Sequence, residues 1–228
     1  ARALAEALRQ NSNLQTLNLA INSIGDLGAD ALGQALRENR GLQALNLDDN
    51  DIGGHGAGAL AQALQHNSNL SSLILSDNDL GAEGGRFLGQ ALEHNSTLTG
   101  LCLYMTNVGS VGASCVAQAL RHNSALQLLD LGRNNISLDG TLILAEALRA
   151  NNCLTTLNLG DAITAGDDVT RRLVQLKLIS NREQLDRCAN SIGDEGALAL
   201  GQALGDNRSL IHLNFPSRDV REDLVDFL

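Results

Sequence analysis

The chain has 228 residues and a formal net charge of −10 at neutral pH. Hydrophobic residues make up 43% of it and aromatic residues only 2%, so leucine and alanine supply most of the predicted core. The acidic charge argues against a nucleic acid as the main partner, because phosphate binding needs clustered Lys and Arg. It also disfavours an anionic membrane surface, and the sequence contains no apolar run of about 18 residues that could span a bilayer.

Cysteine usage indicates a reducing compartment. Cys102, Cys115, Cys153 and Cys188 form no C-x-x-C pair, and their spacing fits no metal or disulfide scheme. We interpret them as free thiols, which are typical of proteins in reducing compartments. A cytoplasmic location is the resulting expectation.

A leucine pattern repeats every 28 residues along the chain. Its first copy is L-x-x-L-x-L-x-x-N-x-I over residues 14–24, and a last copy starts at Leu210. Alternating leucines predict a short parallel strand whose intervening side chains point to the opposite face. The Asn of each copy is expected to bond the backbone of the turn from inside. The intermediate copies start at Leu42, Leu70, Leu98, Leu126 and Leu154.

The second half of each unit predicts a helix. Leu32 and Leu36 are four residues apart, which places them on one helix face. An asparagine such as Asn39 follows each helix, and Asn tolerates the left-handed conformation that often ends one. No unit can bury its apolar face alone, so neighbouring units must stack. A glycine column suited to loop turns and close helix packing consists of Gly28, Gly56, Gly84, Gly112, Gly140 and Gly196.

These columns closely resemble the leucine-rich repeat family and, within it, the ribonuclease-inhibitor-like subfamily. Residues 190–197 and 200–204 are similar to repeats of NOD-like receptors and of Ran GTPase-activating proteins. The resemblance implies an α/β solenoid, a horseshoe with parallel β-strands on the concave face and α-helices on the convex face. We expect one domain over residues 1–228 with about eight repeats, as a fragment of a larger protein.

The unit that starts at Leu154 departs from the pattern. Ala162 replaces its Asn, and the next unit, due to start at residue 182, has Arg187 where a buried Leu is expected. Burying an unpaired Arg is costly, so we expect an irregular segment at about 160–189. It is either functional or the result of sequence drift. Thr106 is a milder substitution, because a hydroxyl can make some of the bonds of the Asn it replaces.

Residue types that support catalysis or bind metals are not arranged for either role. His66, His94 and His122 share one repeat position, but neighbouring helices lie about 8–10 Å apart, too far for three rings to meet at one ion. The glycines recur with the repeat and form no phosphate-binding motif. We therefore expect no enzyme activity, no catalytic residue, no metal site and no cofactor.

The middle strands supply the first candidate binding surface. Ile74, Cys102, Tyr104 and Leu128 lie on adjacent predicted strands and point to the concave face, with Met105 nearby. An exposed apolar cluster that carries the only Tyr of the chain is typical of a binding centre. The alternative is that these residues are scattered and shielded by loops.

The predicted loops supply a second candidate, an acidic ridge with Asp26 close by. Such a ridge would attract a partner with a basic surface and accelerate their encounter. A solvated edge without a partner is the alternative. The ridge consists of Asp49, Asp51, Asp77 and Asp79, and Asp48 also lies close by.

A regular scaffold without a catalytic set favours a function in binding another protein. Our first hypothesis is a protein-binding or ligand-sensing repeat domain, similar to that of NOD-like receptors, that binds through its concave face. A GTPase-activating regulator of a Ran-like small GTPase is a second hypothesis. A structural or effector-like scaffold is a third.

Overall fold

The computed structural model describes residues 1–160, 195, 198–200, 202–203, 207, 209 and 212–214. Helices and strands alternate along this part of the chain. The helices are α1 (Arg2–Gln10), α2 (Gly25–Glu38), α3 (Gly54–Leu64), α4 (Gly81–Leu92), α5 (Gly109–Leu120) and α6 (Leu138–Ala150). The strands are β1 (Thr16–Asn18), β2 (Ala44–Asn46), β3 (Ser72–Ile74), β4 (Gly100–Cys102), β5 (Leu128–Asp130), β6 (Thr156–Asn158) and β7 (His212–Asn214).

These seven strands of the described residues form one parallel sheet in sequence order. Leu17 pairs with Leu45 and Leu45 with Leu73, so each of these strands is displaced from the last by one repeat. The helices pack side by side, each against the helices of the units before and after it. This arrangement confirms the predicted α/β solenoid.

The predicted leucine columns form the core between the sheet and the helices. Leu42, Leu45 and Leu47 of the second unit have no exposed surface, and Leu32 and Leu36 of α2 belong to the same buried cluster. Hydrophobic stabilisation is proportional to the apolar area removed from water. Each unit therefore depends on the units stacked against it.

The asparagine after each helix bonds through its side chain. Asn39 has extended backbone (φ −67°, ψ 133°), so the prediction of a left-handed residue was wrong. Its Nδ2 donates to the carbonyl of Leu8 in the preceding unit at 2.6 Å, and its Oδ1 accepts from the N–H of Leu42 at 2.8 Å. These bonds satisfy a helix-end carbonyl, which makes the left-handed turn unnecessary. They recur at Asn67, Asn95, Asn123 and Asn151.

The asparagine of each loop bonds backbone groups from inside, as predicted. The Asn78 Nδ2 donates to the carbonyls of Leu47 in the preceding unit and of Leu75 in its own, both at 2.9 Å. Thr106, which replaces this Asn, donates from its hydroxyl to Leu103 in its own unit at 2.7 Å. The hydroxyl thus keeps the local bond that the sequence analysis expected of it.

The helices begin in two ways. Helices α3 and α6 follow an extended residue, Gly53 or Ser137, whose N–H donates to a side chain of the preceding unit. The acceptor is Asp26 for Gly53, at 2.7 Å, and Ser110 for Ser137, at 2.9 Å. The other kind of start is a glycine with φ near +60°, a conformation that glycine adopts readily, at Gly25, Gly81 and Gly109.

The sheet skips one period of sequence between β6 and β7. Thr156 pairs with His212, and the side chain of Asn207 donates to the carbonyl of Asn151, 56 residues earlier. The equivalent bond from Asn67 to Asn39 spans 28 residues. Strand β6 therefore pairs directly with β7. Ala162, Arg187 and the rest of the irregular segment beyond residue 160 lie outside the described residues.

Candidate protein-binding surface

The apolar cluster that the sequence predicts to be exposed on the concave face is buried in the structure. Ile74, Cys102, Tyr104 and Leu128 are all buried, and Tyr104, the most open of them, is 7% exposed. The exposure of this cluster was therefore wrongly predicted. Side chains on one face of neighbouring strands shield one another because the strands lie about 4.8 Å apart. The Tyr104 ring also packs on Gly132 of the next unit, where a Cβ atom would lie 3.0 Å from its Cδ2.

Carboxylates surround the buried thiol of Cys102. Burial raises the pKa of this thiol well above its usual value, and the negative charges of Asp130 and Asp48 raise it further. Asp130 is the residue paired with Cys102 across β4 and β5. A thiol that stays protonated is a poor nucleophile and a poor metal ligand. Cys102 is therefore suited to packing and not to covalent chemistry.

The loop edge places most of the predicted acidic ridge on open surface. Asp49, Asp51 and Asp79 are exposed and Asp77 is half-buried. Asp48, which the sequence placed close to this ridge, is buried and only 8% exposed. Its side chain belongs to the concave face because it stands two residues after Asn46, at the next alternate position. We call the remaining four aspartates the acidic loop edge.

Backbone conformation gives these aspartates a structural role as well. Asp49, Asp51 and Asp77 have φ values of 52°, 56° and 52°. Asp adopts this left-handed region more readily than most residues other than glycine. The half-buried Met105 holds φ 51° at the repeat position of Asp77. The same conformation recurs at Arg133, two units after Asp77, so it belongs to the turn of the repeat and fixes where each carboxylate stands.

Three exposed apolar side chains near the same edge were missed from the sequence. Ile21 is 67% exposed, Leu27 72% and Val111 65%. Leu27 and Val111 share one repeat position in the first turns of α2 and α5. The available signal was the variability of this position, which also holds His55 and does not keep leucine as the core columns do.

The helix side contains a cavity of about 370 Å³ between α3 and α4. Phe87 packs on Gly58, where a Cβ atom would lie 3.0 Å from the ring, and the Arg86 guanidinium lies 4.4 Å from the ring centroid. No group of three metal-binding side chains occurs among the described residues. The rest of the cavity lining is mainly small or polar: His55, Ala59, Ala61, Gln62, Gln65 and Gln90.

A family model described as Leucine Rich repeat matches residues 10–33, 38–61 and 66–89. These three repeats and the parallel sheet give the chain a leucine-rich repeat solenoid fold. Each matched segment contains one strand of the sheet and most of the helix that follows it, which agrees with the 28-residue unit read from the sequence. No curated protein sequence matches the chain.

Two solved structures are similar to this leucine-rich repeat chain. The first is described as leiomodin-1 actin-binding site 2, with a TM-score of 0.55, 19% sequence identity, and coverage of 76% of this chain and 92% of that one. The second is the C-terminal domain of tropomodulin from Caenorhabditis elegans, with a TM-score of 0.55, 16% identity, and coverage of 77% and 97%. At these identities the similarity shows the fold. No helix of the described residues is long and apolar enough to cross a membrane.

Proposed function

We propose that this leucine-rich repeat chain is a protein-binding scaffold that contacts its partner through the acidic loop edge. The observation that carries the proposal is the contrast between two surfaces. The carboxylates of Asp49, Asp51 and Asp79 are exposed, whereas the apolar residues of the middle concave strands are buried. The loop edge therefore replaces the concave face as our candidate binding surface.

Electrostatics favours a partner with a basic surface. The carboxylates recur at equivalent positions of adjacent units, so their fields add along one edge of the solenoid. Such a surface increases the rate of encounter with a basic protein, and added salt screens the effect. Binding residues commonly stand on loops that a rigid scaffold positions, as these aspartates do.

The test is the triple substitution Asp49→Asn, Asp51→Asn and Asp79→Asn. Asn is also tolerated at positive φ, so the loops should keep their conformation. We expect about tenfold weaker binding to a partner and a smaller dependence of affinity on salt. The measurement is a titration calorimetry or interferometry series at several salt concentrations.

A matched control removes the same charge from the helices. Asp30→Asn and Glu38→Gln change exposed residues of α2, and Glu93→Gln changes the exposed residue that follows α4. This variant should bind as the unaltered chain does. Equal weakening in the two variants would assign the effect to net charge and contradict a role for the loop edge.

Actin is the first partner to test, because one structural neighbour is described as an actin-binding site. Co-sedimentation with actin filaments and a polymerisation assay measure binding and its effect on assembly. Absence of both effects would exclude actin as the partner. The scaffold proposal would then be tested with other proteins.

The resemblance noted in the sequence supplies two other candidates. Similarity to NOD-like receptor repeats predicts a ligand-sensing role beside a nucleotide-binding module. Similarity to Ran GTPase-activating proteins predicts that the chain accelerates GTP hydrolysis by a Ran-like GTPase. A single-turnover hydrolysis assay decides the second, since an unchanged rate rejects it. The ribonuclease-inhibitor-like subfamily and the absence of enzyme activity stay predictions.

A further inference from the structure

The cavity between α3 and α4 lies where one repeat has unusually small side chains. Gly58 and Ala59 of α3 line it. At the repeat position of Ala59, α4 has Phe87 and α6 has Ile143, both of them half-buried. The fold therefore accepts a large side chain at this position, and the small residues of α3 leave a volume of about 370 Å³ open.

The ring of Phe87 forms one wall of the cavity and is held on both sides. A Cβ atom at Gly58 would lie 3.0 Å from this ring, so a glycine is what allows the ring to pack against α3. The Arg86 guanidinium lies 4.4 Å from the ring centroid and forms a salt bridge with Glu83 at 3.5 Å. Because the wall is already ordered, a ligand that packs on it loses little affinity to ordering.

The polar part of the lining consists mainly of carboxamides. Gln62, Gln65 and Gln90 are exposed, and their side chains make no hydrogen bond to the described part of the chain. Each carboxamide offers both donors and an acceptor. Among the described residues no Asp, Glu, Lys or Arg lines the cavity, although these residues make up 18% of the chain. An uncharged ligand with donors and acceptors matches this lining, because a charged one would be desolvated without a countercharge.

We infer that this cavity binds an uncharged, extended peptide segment of a partner protein, with an apolar side chain of that segment against Phe87. A peptide group donates one hydrogen bond and accepts one, so a run of such groups complements the carboxamides. The stretch of α3 from Gly58 to Gln65 is about 10 Å long, which about three extended residues also span. The site shares no residue with the acidic loop edge and does not depend on it.

The experiment titrates the neutral capped tripeptide N-acetyl-glycyl-leucyl-glycinamide into the isotope-labelled chain and follows its NMR spectrum. We expect saturable shifts of the side-chain amide resonances of Gln62, Gln65 and Gln90. Ala59→Ile should weaken binding by about tenfold or more, because the new side chain fills the volume that the leucyl group needs. Ala31→Ile makes the same change at the equivalent position of α2 and should leave binding unchanged.

A second pair of variants tests the carboxamides at exposed positions, where folding is unaffected. Gln62→Ala with Gln90→Ala should weaken binding about fivefold, because two hydrogen-bonding groups are lost. Gln34→Ala with Gln118→Ala removes two glutamines of the same repeat position outside the cavity and should have no effect. The free-acid form of the tripeptide should bind more weakly than the amide. The proposal is overturned by an absence of saturable shifts, by binding that tolerates Ala59→Ile, by equal effects of the two glutamine pairs, or by equal affinity for the free acid.

Discussion

Asp26 stabilises a helix that belongs to the next repeat. Its Oδ1 accepts from the N–H groups of Gly53 and Gly56 at 2.7 and 2.9 Å. Gly53 has no side chain that could cap helix α3, so the Asp26 carboxylate caps the helix instead. Its negative charge also interacts favourably with the positive end of the helix dipole. The sequence analysis placed Asp26 only close to the acidic ridge. It did not predict the capping of α3, because these hydrogen bonds join two different units.

We predict that Asp26→Ala lowers the free energy of unfolding by about 1–2 kcal/mol. Two helix N–H groups lose their acceptor, whereas Asp26→Asn keeps an acceptor oxygen and should restore most of the loss. Urea denaturation followed by circular dichroism measures both. Asp30→Ala removes an exposed carboxylate from the same helix and is the control. The capping role fails if the two alanine variants are equally stable.

The thiols of Cys115 and Cys153 should react before that of Cys102. Burial and the charges of Asp130 and Asp48 raise the pKa of Cys102, and only the thiolate is an efficient nucleophile. Timed labelling with a maleimide, read by mass spectrometry of peptides, gives the order. Labelling of Cys102 in the folded chain at the rate of the half-buried thiols contradicts this prediction.

The same pKa shift implies a stability change at alkaline pH. The thiol of Cys102 ionises at its ordinary pKa in the unfolded chain and at a higher one in the folded chain. Between those two values the unfolded state has lost a proton that the folded state keeps, so the free energy of unfolding falls as pH rises. Denaturation of a Cys102→Ala chain over the same pH series should show a shallower fall.

At the scale of elements, glycine sets the distance between helices α4 and α5. A Cβ atom at Gly85 would lie 2.6 Å from the Cα of Gly112, and one at Gly89 would lie 2.7 Å from the carbonyl of Cys115. Both contacts are to backbone, which cannot move as a side chain can. Gly112 belongs to the glycine column that the sequence suggested for close helix packing, whereas Gly85 and Gly89 lie outside that column.

Gly85→Ala should destabilise the chain by about 1–3 kcal/mol, because the two helices must separate to admit a methyl group. This cost exceeds the gain that alanine brings to a helix interior. Gly100→Ala is the matched control, since its Cβ would meet only the Ser72 Oγ at 3.7 Å. Thermal unfolding of both variants decides, and equal melting temperatures would contradict the tight contact.

The strand and helix of each unit could be predicted because their causes lie within 28 residues. The spacing of Leu42, Leu45 and Leu47 determines which face of β2 is buried, whatever the neighbours are. The burial of Tyr104 could not be predicted in the same way, because it depends on Gly132 in another unit. The left-handed aspartates of the loop edge were likewise hidden, since Asp is common in turns of every type.

At the scale of the whole molecule, the asparagines after the helices join successive units. Asn95, for example, donates to the unit before it and accepts from its own turn, so the loss of its side chain affects two repeats. Asn207 makes the same bond across one period of skipped sequence. Which carbonyl each asparagine side chain bonds depends on which units stack against each other. The repeat pattern of the sequence does not show this long-range property.

Asn95→Ala should therefore cost about 1–3 kcal/mol, because it leaves the buried carbonyl of Leu64 and the N–H of Leu98 without partners. Asn11→Ala is the control. The side chain of Asn11 is exposed and makes its described hydrogen bonds within its own turn, so its loss should cost less than half as much. Chemical denaturation gives the free energy of unfolding of both variants. Similar losses of stability at the two positions would contradict the role of Asn95 in joining neighbouring units.

The two kinds of helix start limit how these repeats could be rearranged. Asp26 accepts from the extended Gly53, and Ser110 accepts from the extended Ser137, whereas Gly81 needs no acceptor in the unit before it. An exchange of whole units that cuts the chain in its loops would separate each capping side chain from the helix it serves. A module for recombination therefore has to begin before the capping side chain and end after the helix start that this side chain binds. Such a module contains one complete repeat and one complete contact between neighbouring repeats.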